Sequence, residues 1–241
     1  MTIRNSGNIF HGLLYKSNWA NPAGTIILLH GVRHTKFSLL KLKDYVVSKG
    51  YNAILFDMRG HDDNKNAYCT YGYYEKRDVR ILVDTLVKHD YGQNLGIWGE
   101  SLGGAVALQV LSDDERIKYG VIESGFSDFD ETIHSHCRRL FGFDIPLISN
   151  FLIYRAGQIA DFNPDKVQPA ASCKRIEQEV IFVHGLKDKI VNYKYCLQNF
   201  KSTESREKHL LLLDSASHSD ILQKGGNKLT STVFRLLISK N

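Results

Sequence analysis

The fold is decided by the stretch LGIWGESLGGAVAL, which occupies residues 95–108. Residues 95–98 form an apolar run of strand length, and residues 104–108 begin a run typical of a helix. Between the two runs, Gly99-Glu100-Ser101-Leu102-Gly103 fits the motif G-x-S-x-G, which requires a strand before it and a helix after it. The stretch therefore predicts a strand, a sharp turn that carries Ser101, and a helix.

Steric crowding explains why this turn contains glycine on both sides of Ser101. A serine on so tight a turn adopts strained backbone geometry, and side chains at Gly99 or Gly103 would collide with the neighbouring strand and helix. Ser101 Oγ would then stand at the helix N-terminus, where the helix dipole stabilises negative charge. The alternative is that Ser101 only caps the helix. We expect Ser101 to be a nucleophile.

Short apolar runs alternate with longer segments of helical spacing on both sides of this turn. Because the runs are apolar throughout, they predict strands covered by helices on both faces of a parallel sheet. We expect a doubly wound α/β fold of about seven strands, with the first strand antiparallel. Helices are predicted over Tyr73–Lys88 and Lys228–Ser239. The predicted strands are Asn8–Tyr15, Thr25–His30, Asn52–Asp57, Leu95–Glu100, Tyr119–Ser124, Glu179–His184 and His209–Asp214.

Length and composition exclude several classes of protein. The 241 residues are 43% hydrophobic and 24% charged, which is typical of a globular chain, and we expect one domain over residues 1–241. The net charge is +5, but basic residues occur at most in pairs, so nucleic-acid binding is not supported. No apolar run approaches the roughly 20 residues of a membrane span. The four cysteines lack a C-x-x-C spacing, which predicts no metal site and a cytoplasmic protein with reduced thiols.

Residues 126–170 interrupt the alternation of strands and helices. More than forty residues separate two strands that a short crossover would join, so an insertion is predicted. Its aromatic and aliphatic content predicts two or three helices over one edge of the sheet, as a lid above the site. The alternative is additional core packing without a gating role.

A nucleophilic serine requires a histidine base and an orienting carboxylate. Functional groups of open parallel sheets lie beyond the carboxyl ends of the strands. His218 follows the last predicted strand by four residues, and Asp188 follows the preceding strand by four. Ser101, Asp188 and His218 therefore form the predicted catalytic triad.

Other acids compete with Asp188. Glu123 ends a neighbouring strand and is the main alternative, while Asp220, Asp214 and Asp57 are weaker candidates. Among the ten histidines, His184 and His209 lie in or at the start of strands and are interpreted as structural.

The backbone N–H groups of Val32 and Leu102 are the predicted oxyanion hole. Val32 follows the strand that ends at His30-Gly31, and Leu102 follows the nucleophile. His30 is expected to brace this loop rather than to catalyse.

The chain resembles the α/β-hydrolase superfamily in five places. These are His30-Gly31, Asp57-Met58-Arg59-Gly60-His61, the elbow from Gly99 to Gly104, His184-Gly185-Leu186-Lys187-Asp188 and Ala216-Ser217-His218. The resemblance covers nearly the whole chain and implies the same triad. The branch is similar to serine-aminopeptidase-like and acyl-thioesterase-like hydrolases that carry a lid after the sixth strand.

Two features depart from the family. The usual D-x-R-G-x-G-x-S loop continues here as His61-Asp62-Asp63-Asn64, without its second glycine and with two added acids, so its usual conformation is in doubt. The N-terminus is short for the fold, which indicates a missing first strand or a removed leader.

These observations predict a serine hydrolase that cleaves a small ester or thioester of a hydrophobic acyl group through an acyl-enzyme and needs no cofactor. A peptidase would use the same groups but needs an acidic site for a substrate N-terminus, and the sequence identifies none. A protein that binds a small molecule without turnover is the second alternative.

Overall fold

The structure is a computed structural model that describes residues 2–5, 7–65 and 67–238. Within these residues, one sheet of eight strands has the spatial order β1-β2-β4-β3-β5-β6-β7-β8. The β1–β2 and β2–β4 pairs are antiparallel, and the remaining pairs are parallel. The strands are β1 (Thr2–Asn5), β2 (Asn8–Tyr15), β3 (Thr25–Leu29), β4 (Asn52–Phe56), β5 (Leu95–Glu100), β6 (Ile117–Glu123), β7 (Glu179–Gly185) and β8 (Lys208–Leu213).

Helices cover both faces of the sheet. Along β3, Ile27 and Leu29 belong to the core under α2, α3, α6 and α7, whereas Ile26 and Leu28 belong to the core under α1 and α8. Burial on both faces explains why the central strands are apolar at every position. The helices are α1 (Leu40–Ser48), α2 (Glu75–Lys88), α3 (Leu102–Leu111), α4 (Phe129–Phe141), α5 (Pro146–Ala160), α6 (Pro169–Cys173), α7 (Tyr193–Ser202) and α8 (Ile221–Ile238).

The predicted fold class is confirmed, with differences at the ends of the chain. The sheet has eight strands rather than about seven, and the expectation of a missing first strand is wrong because Thr2–Asn5 pairs with β2. The closing helix begins at Ile221, ahead of the predicted start, and kinks at Gly226, where φ is 45°. Its predicted last residue, Ser239, lies outside the described residues.

The segment 126–170 holds α4 and α5, joined by residues 142–145, and the beginning of α6. Phe129, Ile153 and Phe162 enter the core beside α2 and α3. Most other apolar side chains of α5 face outward. The division into one domain with a lid stays a prediction.

Among the described residues, no helix combines the length and the apolar character needed to cross a bilayer.

Candidate active site

Ser101 occupies a strained turn between β5 and α3. Its backbone has φ 54° and ψ −112°, a region that residues with a side chain rarely adopt. A Cβ atom at Gly99 would lie 2.1 Å from the carbonyl oxygen of Gly103, and a Cβ atom at Gly103 would lie 2.3 Å from the carbonyl oxygen of Leu29. The close approach of backbone therefore requires glycine on both sides of the serine.

The structure brings the predicted Ser101, His218 and Asp188 together from three separate loops. His218 Nε2 lies 3.0 Å from Ser101 Oγ, and His218 Nδ1 lies 2.7 Å from Asp188 Oδ2. Because the carboxylate accepts the hydrogen of Nδ1, the lone pair of Nε2 faces the serine hydroxyl. The imidazole is 14% exposed and the carboxylate is fully buried, so the exchange of a proton between Ser101 and His218 is shielded from most of the solvent.

Asp188 is held by four donors. Its Oδ1 accepts the backbone N–H groups of Ile190 (2.8 Å) and Val191 (2.9 Å). Its Oδ2 faces His218 and also His184 Nε2 at 3.1 Å. Although burial opposes ionisation, hydrogen bonds from His184 and His218 hold the pKa of Asp188 well below its usual range. The carboxylate is therefore charged and fixed in orientation.

His184 contacts Asp188, although its position in a strand predicted only a structural role. Its side chain is fully buried, and Nε2 lies between Asp188 Oδ2 and the carbonyl oxygen of Val191, 3.0 Å away. The spacing of four residues between His184 and Asp188 was visible in the sequence. However, a histidine inside a strand gives no sign that the following loop folds back onto it.

The loop after β3 lies against Ser101. A Cβ atom at Gly31 would approach Ser101 Cβ to 3.4 Å, and the carbonyl oxygen of His30 accepts the N–H of Gly103 at 3.1 Å. Val32 follows this contact directly, and Leu102 is the first residue of α3. The backbone around Val32 and Leu102 thus borders Ser101 from two sides.

His30 braces the loop. Its Nε2 accepts the N–H of Met58 at 3.1 Å, so Nδ1 carries the hydrogen and donates to the carbonyl oxygen of Gly31 at 2.8 Å. Burial lowers the pKa of His30 to about 4, which keeps the ring neutral near pH 7. These bonds fit the bracing role that the sequence indicated.

The other candidate acids are engaged elsewhere. Glu123 is buried with its carboxyl group 3.4 Å from Trp98 Nε1, and burial raises its pKa well above the usual range. Asp220 accepts the N–H of Ser217, and Asp57 pairs with Lys36. Asp214 is exposed directly after β8. The carboxylate bonded to His218 is that of Asp188.

Glu100 directly precedes Ser101 in the chain. It pairs in register with Glu123 across β5 and β6. Burial raises the pKa of Glu100 to about 7, while the charge of His218 acts in the opposite direction. Glu100 is therefore a titrating group next to Ser101. It occupies the first variable position of the motif G-x-S-x-G, so the motif did not identify it.

The loop that departs from the family pattern compensates for its missing glycine. Asp62 has φ 44°, a left-handed conformation that glycine adopts without strain. Lys36 Nζ bonds Asp57 and lies 2.9 Å from Asp62 and 3.5 Å from Asp63. These three carboxylates have the spacing of a metal-ligand set, but the ammonium group of Lys36 already lies among them.

A cavity of about 800 Å³ lies between α5, the beginning of α4 and the residues before α2. Its walls include Tyr73, Tyr154, Asp130 and Gln158, whereas Ser101 does not line it. This cavity is therefore separate from the hydroxyl group of Ser101.

Three comparisons with known proteins agree with this architecture. A family model described as "Serine aminopeptidase, S33" matches residues 20–133. The esterase Pf2001 of Pyrococcus furiosus superposes with a TM-score of 0.80 at 19% identity, over 99% of this chain and 91% of that one.

Two relatives align at the level of sequence. YqkD of Bacillus subtilis (strain 168) is 25% identical over 224 residues, which cover 90% of this chain and 72% of YqkD. The 2,6-dihydropseudooxynicotine hydrolase of Paenarthrobacter nicotinovorans is 31% identical over 111 residues, which cover 45% of this chain and 30% of that enzyme.

The sheet order, the strained serine turn and these matches define an α/β-hydrolase fold. The family model over residues 20–133 and the structural neighbours are consistent with the serine-aminopeptidase-like branch of the α/β-hydrolases. The matches support a hydrolase of this type.

Proposed function

We propose that the protein is a serine hydrolase that cleaves a small carboxylic ester or thioester through an acyl-enzyme. The observation that carries the proposal is the continuous hydrogen-bonded series from Ser101 Oγ through His218 to Asp188. An unassisted serine hydroxyl is a weak nucleophile, and an oriented imidazole is the usual means of activating it.

In the first half of the reaction, Ser101 Oγ attacks the carbonyl carbon of the substrate while His218 Nε2 takes the hydroxyl proton. The imidazolium that forms is stabilised by Asp188, which keeps its negative charge and accepts no proton. The backbone N–H groups of Val32 and Leu102 donate to the oxyanion. His218 then gives its proton to the leaving alcohol or thiol, and the acyl group remains on Ser101.

Water completes the cycle in the second half. His218 takes a proton from a water molecule whose oxygen attacks the acyl carbon, the bond to Ser101 Oγ breaks, and the proton returns to the serine. The products are a carboxylic acid and a free enzyme. Because protein groups supply the nucleophile, the base and the oxyanion donors, the scheme uses no cofactor.

The acyl group is proposed to be hydrophobic. Behind the carboxyl end of β6, the partly buried Tyr71 packs on the buried rings of Phe126 and Phe129, with ring centroids 6.2 and 4.7 Å apart. An apolar wall favours an acyl chain over a charged group. The segment 126–170, which contributes Phe126 and Phe129 to this wall, is proposed to act as a lid over the site.

A peptidase is the second candidate, because the matching family is described as a serine aminopeptidase. Such an enzyme would bind the ammonium group of a substrate near the scissile bond. Glu100 is the acidic group nearest in the chain to Ser101, but its raised pKa leaves it only partly charged near pH 7.

The test is a panel of p-nitrophenyl esters of graded acyl length, measured beside acyl-CoA thioesters and aminoacyl p-nitroanilides. We expect the esters or thioesters to be hydrolysed with the higher kcat/KM, and Ser101→Ala to lower kcat by roughly a millionfold. A preference for aminoacyl anilides would favour the peptidase. Turnover of none of the substrates, with the fold intact, would favour a binding protein.

A further inference from the structure

The hairpin formed by α4 and α5 presents large apolar side chains to solvent. Leu147 is 81% exposed, Phe141 is 64% exposed and Phe151 is 59% exposed. We use the name hairpin surface for the following six residues: Phe141, Phe143, Leu147, Ile148, Phe151 and Leu152. Contiguous exposed apolar surface of this kind marks a site of interaction.

Helix α5 is apolar around most of its circumference. It buries only the narrow face formed by Ser149, Ile153 and Gly157, and no charged residue occurs from Pro146 to Tyr154. A helix of this composition is normally covered on all sides by protein or by lipid. The packing of α5 against the rest of the chain leaves most of this surface without a cover.

Positive charge borders the hairpin surface. The two helices and their connection, residues 129–160, contain three arginines and three acids: Arg138, Arg139, Arg155, Asp130, Glu131 and Asp144. Arg138 pairs with Glu131 and with Asp144. Arg139 and Arg155 are therefore the basic groups that border the hairpin surface.

The same hairpin leaves the sheet beside Ser101. The N–H of Ser101 donates to the carbonyl oxygen of Glu123, the last residue of β6, at 2.7 Å. The chain that follows β6 leads directly into α4, which begins at Phe129. The hairpin therefore starts next to Ser101.

We infer that the hairpin surface docks on an anionic lipid surface, from which the enzyme takes its acyl substrate. The apolar side chains can enter the acyl region of a lipid bilayer, and the arginines beside them can contact the lipid phosphates. A second copy of the chain on the same surface is an outcome that the test below distinguishes from lipid. The choice of substrate rests on the proposed function, but docking itself does not.

Docking is tested with the full chain and vesicles of phosphatidylcholine, with or without phosphatidylglycerol, by co-sedimentation. We expect binding to vesicles that contain phosphatidylglycerol and weakening at high salt. The double variant Leu147→Ser/Phe151→Ser should bind at least about tenfold more weakly, and Arg139→Gln about fivefold more weakly at low salt. A matched control is Trp19→Ser, because Trp19 is 54% exposed but packs near Gly50 at the opposite edge of the sheet.

The inference is overturned if wild-type protein does not bind these vesicles, or if the double variant binds as well as wild type while Trp19→Ser does not. It is also overturned if sedimentation equilibrium shows a dimer that the double variant converts to a monomer without any vesicle binding. Thermal melting of each variant establishes that it is folded.

Two further measurements separate docking from catalysis. Ser101→Ala should bind vesicles like wild type, and Trp19→Ser should both bind vesicles and hydrolyse p-nitrophenyl acetate like wild type because Trp19 lies outside the segment 126–170. Vesicle binding without ester hydrolysis would support docking and contradict the proposed function. Ester hydrolysis without vesicle binding would support the proposed function and contradict docking.

Discussion

Asp188→Asn is predicted to disable the enzyme by reversing the hydrogen-bond polarity of His218. The orientation of the new amide is fixed by the structure. Two backbone N–H groups, from Ile190 and Val191, donate to the Oδ1 position, and an amide nitrogen cannot accept them. The carbonyl oxygen of the substituted side chain must therefore occupy that position, so its NH₂ group faces His218 Nδ1.

The reversed bond changes the tautomer of the base. With NH₂ as the donor, His218 Nδ1 must accept, so the hydrogen of the neutral ring moves to Nε2, which faces Ser101 Oγ at 3.0 Å. Nε2 then has no lone pair for the serine proton, and the imidazolium loses its charged partner. A tautomer error of this kind costs about 10⁴ in kcat, or about 5.5 kcal/mol of transition-state stabilisation.

Glu123→Gln is the matched control. Glu123 is also buried, and burial raises its pKa well above the usual range. Glutamine has the same shape and keeps an oxygen that can accept the N–H of Trp98. We expect kcat/KM within about threefold of wild type. Steady-state hydrolysis of p-nitrophenyl acetate measures both variants, and circular dichroism checks their fold. If Asp188→Asn keeps more than about a tenth of the activity, or Glu123→Gln loses more than Asp188→Asn, the assignment of the acid is wrong.

Three further predictions concern stability. Lys36→Met leaves the buried carboxylate of Asp57 without its cation and should lower the free energy of unfolding in urea by about 3–5 kcal/mol. The control Lys43→Met removes an exposed ion pair and should lower it by less than about 1 kcal/mol. Equal losses would contradict the role of burial. Gly103→Ala forces a methyl group to within 2.3 Å of a carbonyl oxygen of β3. The free energy of unfolding should therefore fall by about 3 kcal/mol. An unchanged urea midpoint would contradict the close approach. Because the pKa of Glu100 is raised from 4.5 to about 7, the folded state holds a proton that the unfolded state releases, and stability falls as pH rises through this window. Glu100→Gln should remove this fall and raise the free energy of unfolding by at most about 3 kcal/mol above pH 7. Thermal melts at pH values below and above the window measure the change. A larger gain at acidic pH would contradict the predicted sign.

The parallel sheet was predictable because its strands are buried on both faces and are apolar throughout. β1 was missed because it has four residues, of which only Ile3 is fully buried, so it carries no apolar run. The beginning of α8 was missed because Gly225-Gly226 reads as a break, whereas the chain kinks there and the helix is assigned across it.

The three residues that the structure brings together were predictable from a topological rule. Parallel strands present their carboxyl ends at one edge, so residues shortly after three strands meet there. The contact of His184 with Asp188 was not predictable in this way, because it depends on how the loop after β7 folds back. Likewise, the sequence indicated a changed loop after β4, but not that Asp62 would adopt a positive φ or that Lys36 would neutralise the acids.

The activation of Ser101 by His218 is tested by the mass of the intact protein after reaction with a fluorophosphonate probe, followed by peptide mapping. We expect a single adduct on Ser101 that is absent from Ser101→Ala and forms at least about a thousandfold more slowly in His218→Ala. An adduct on another residue, or no adduct on a folded protein, would contradict it.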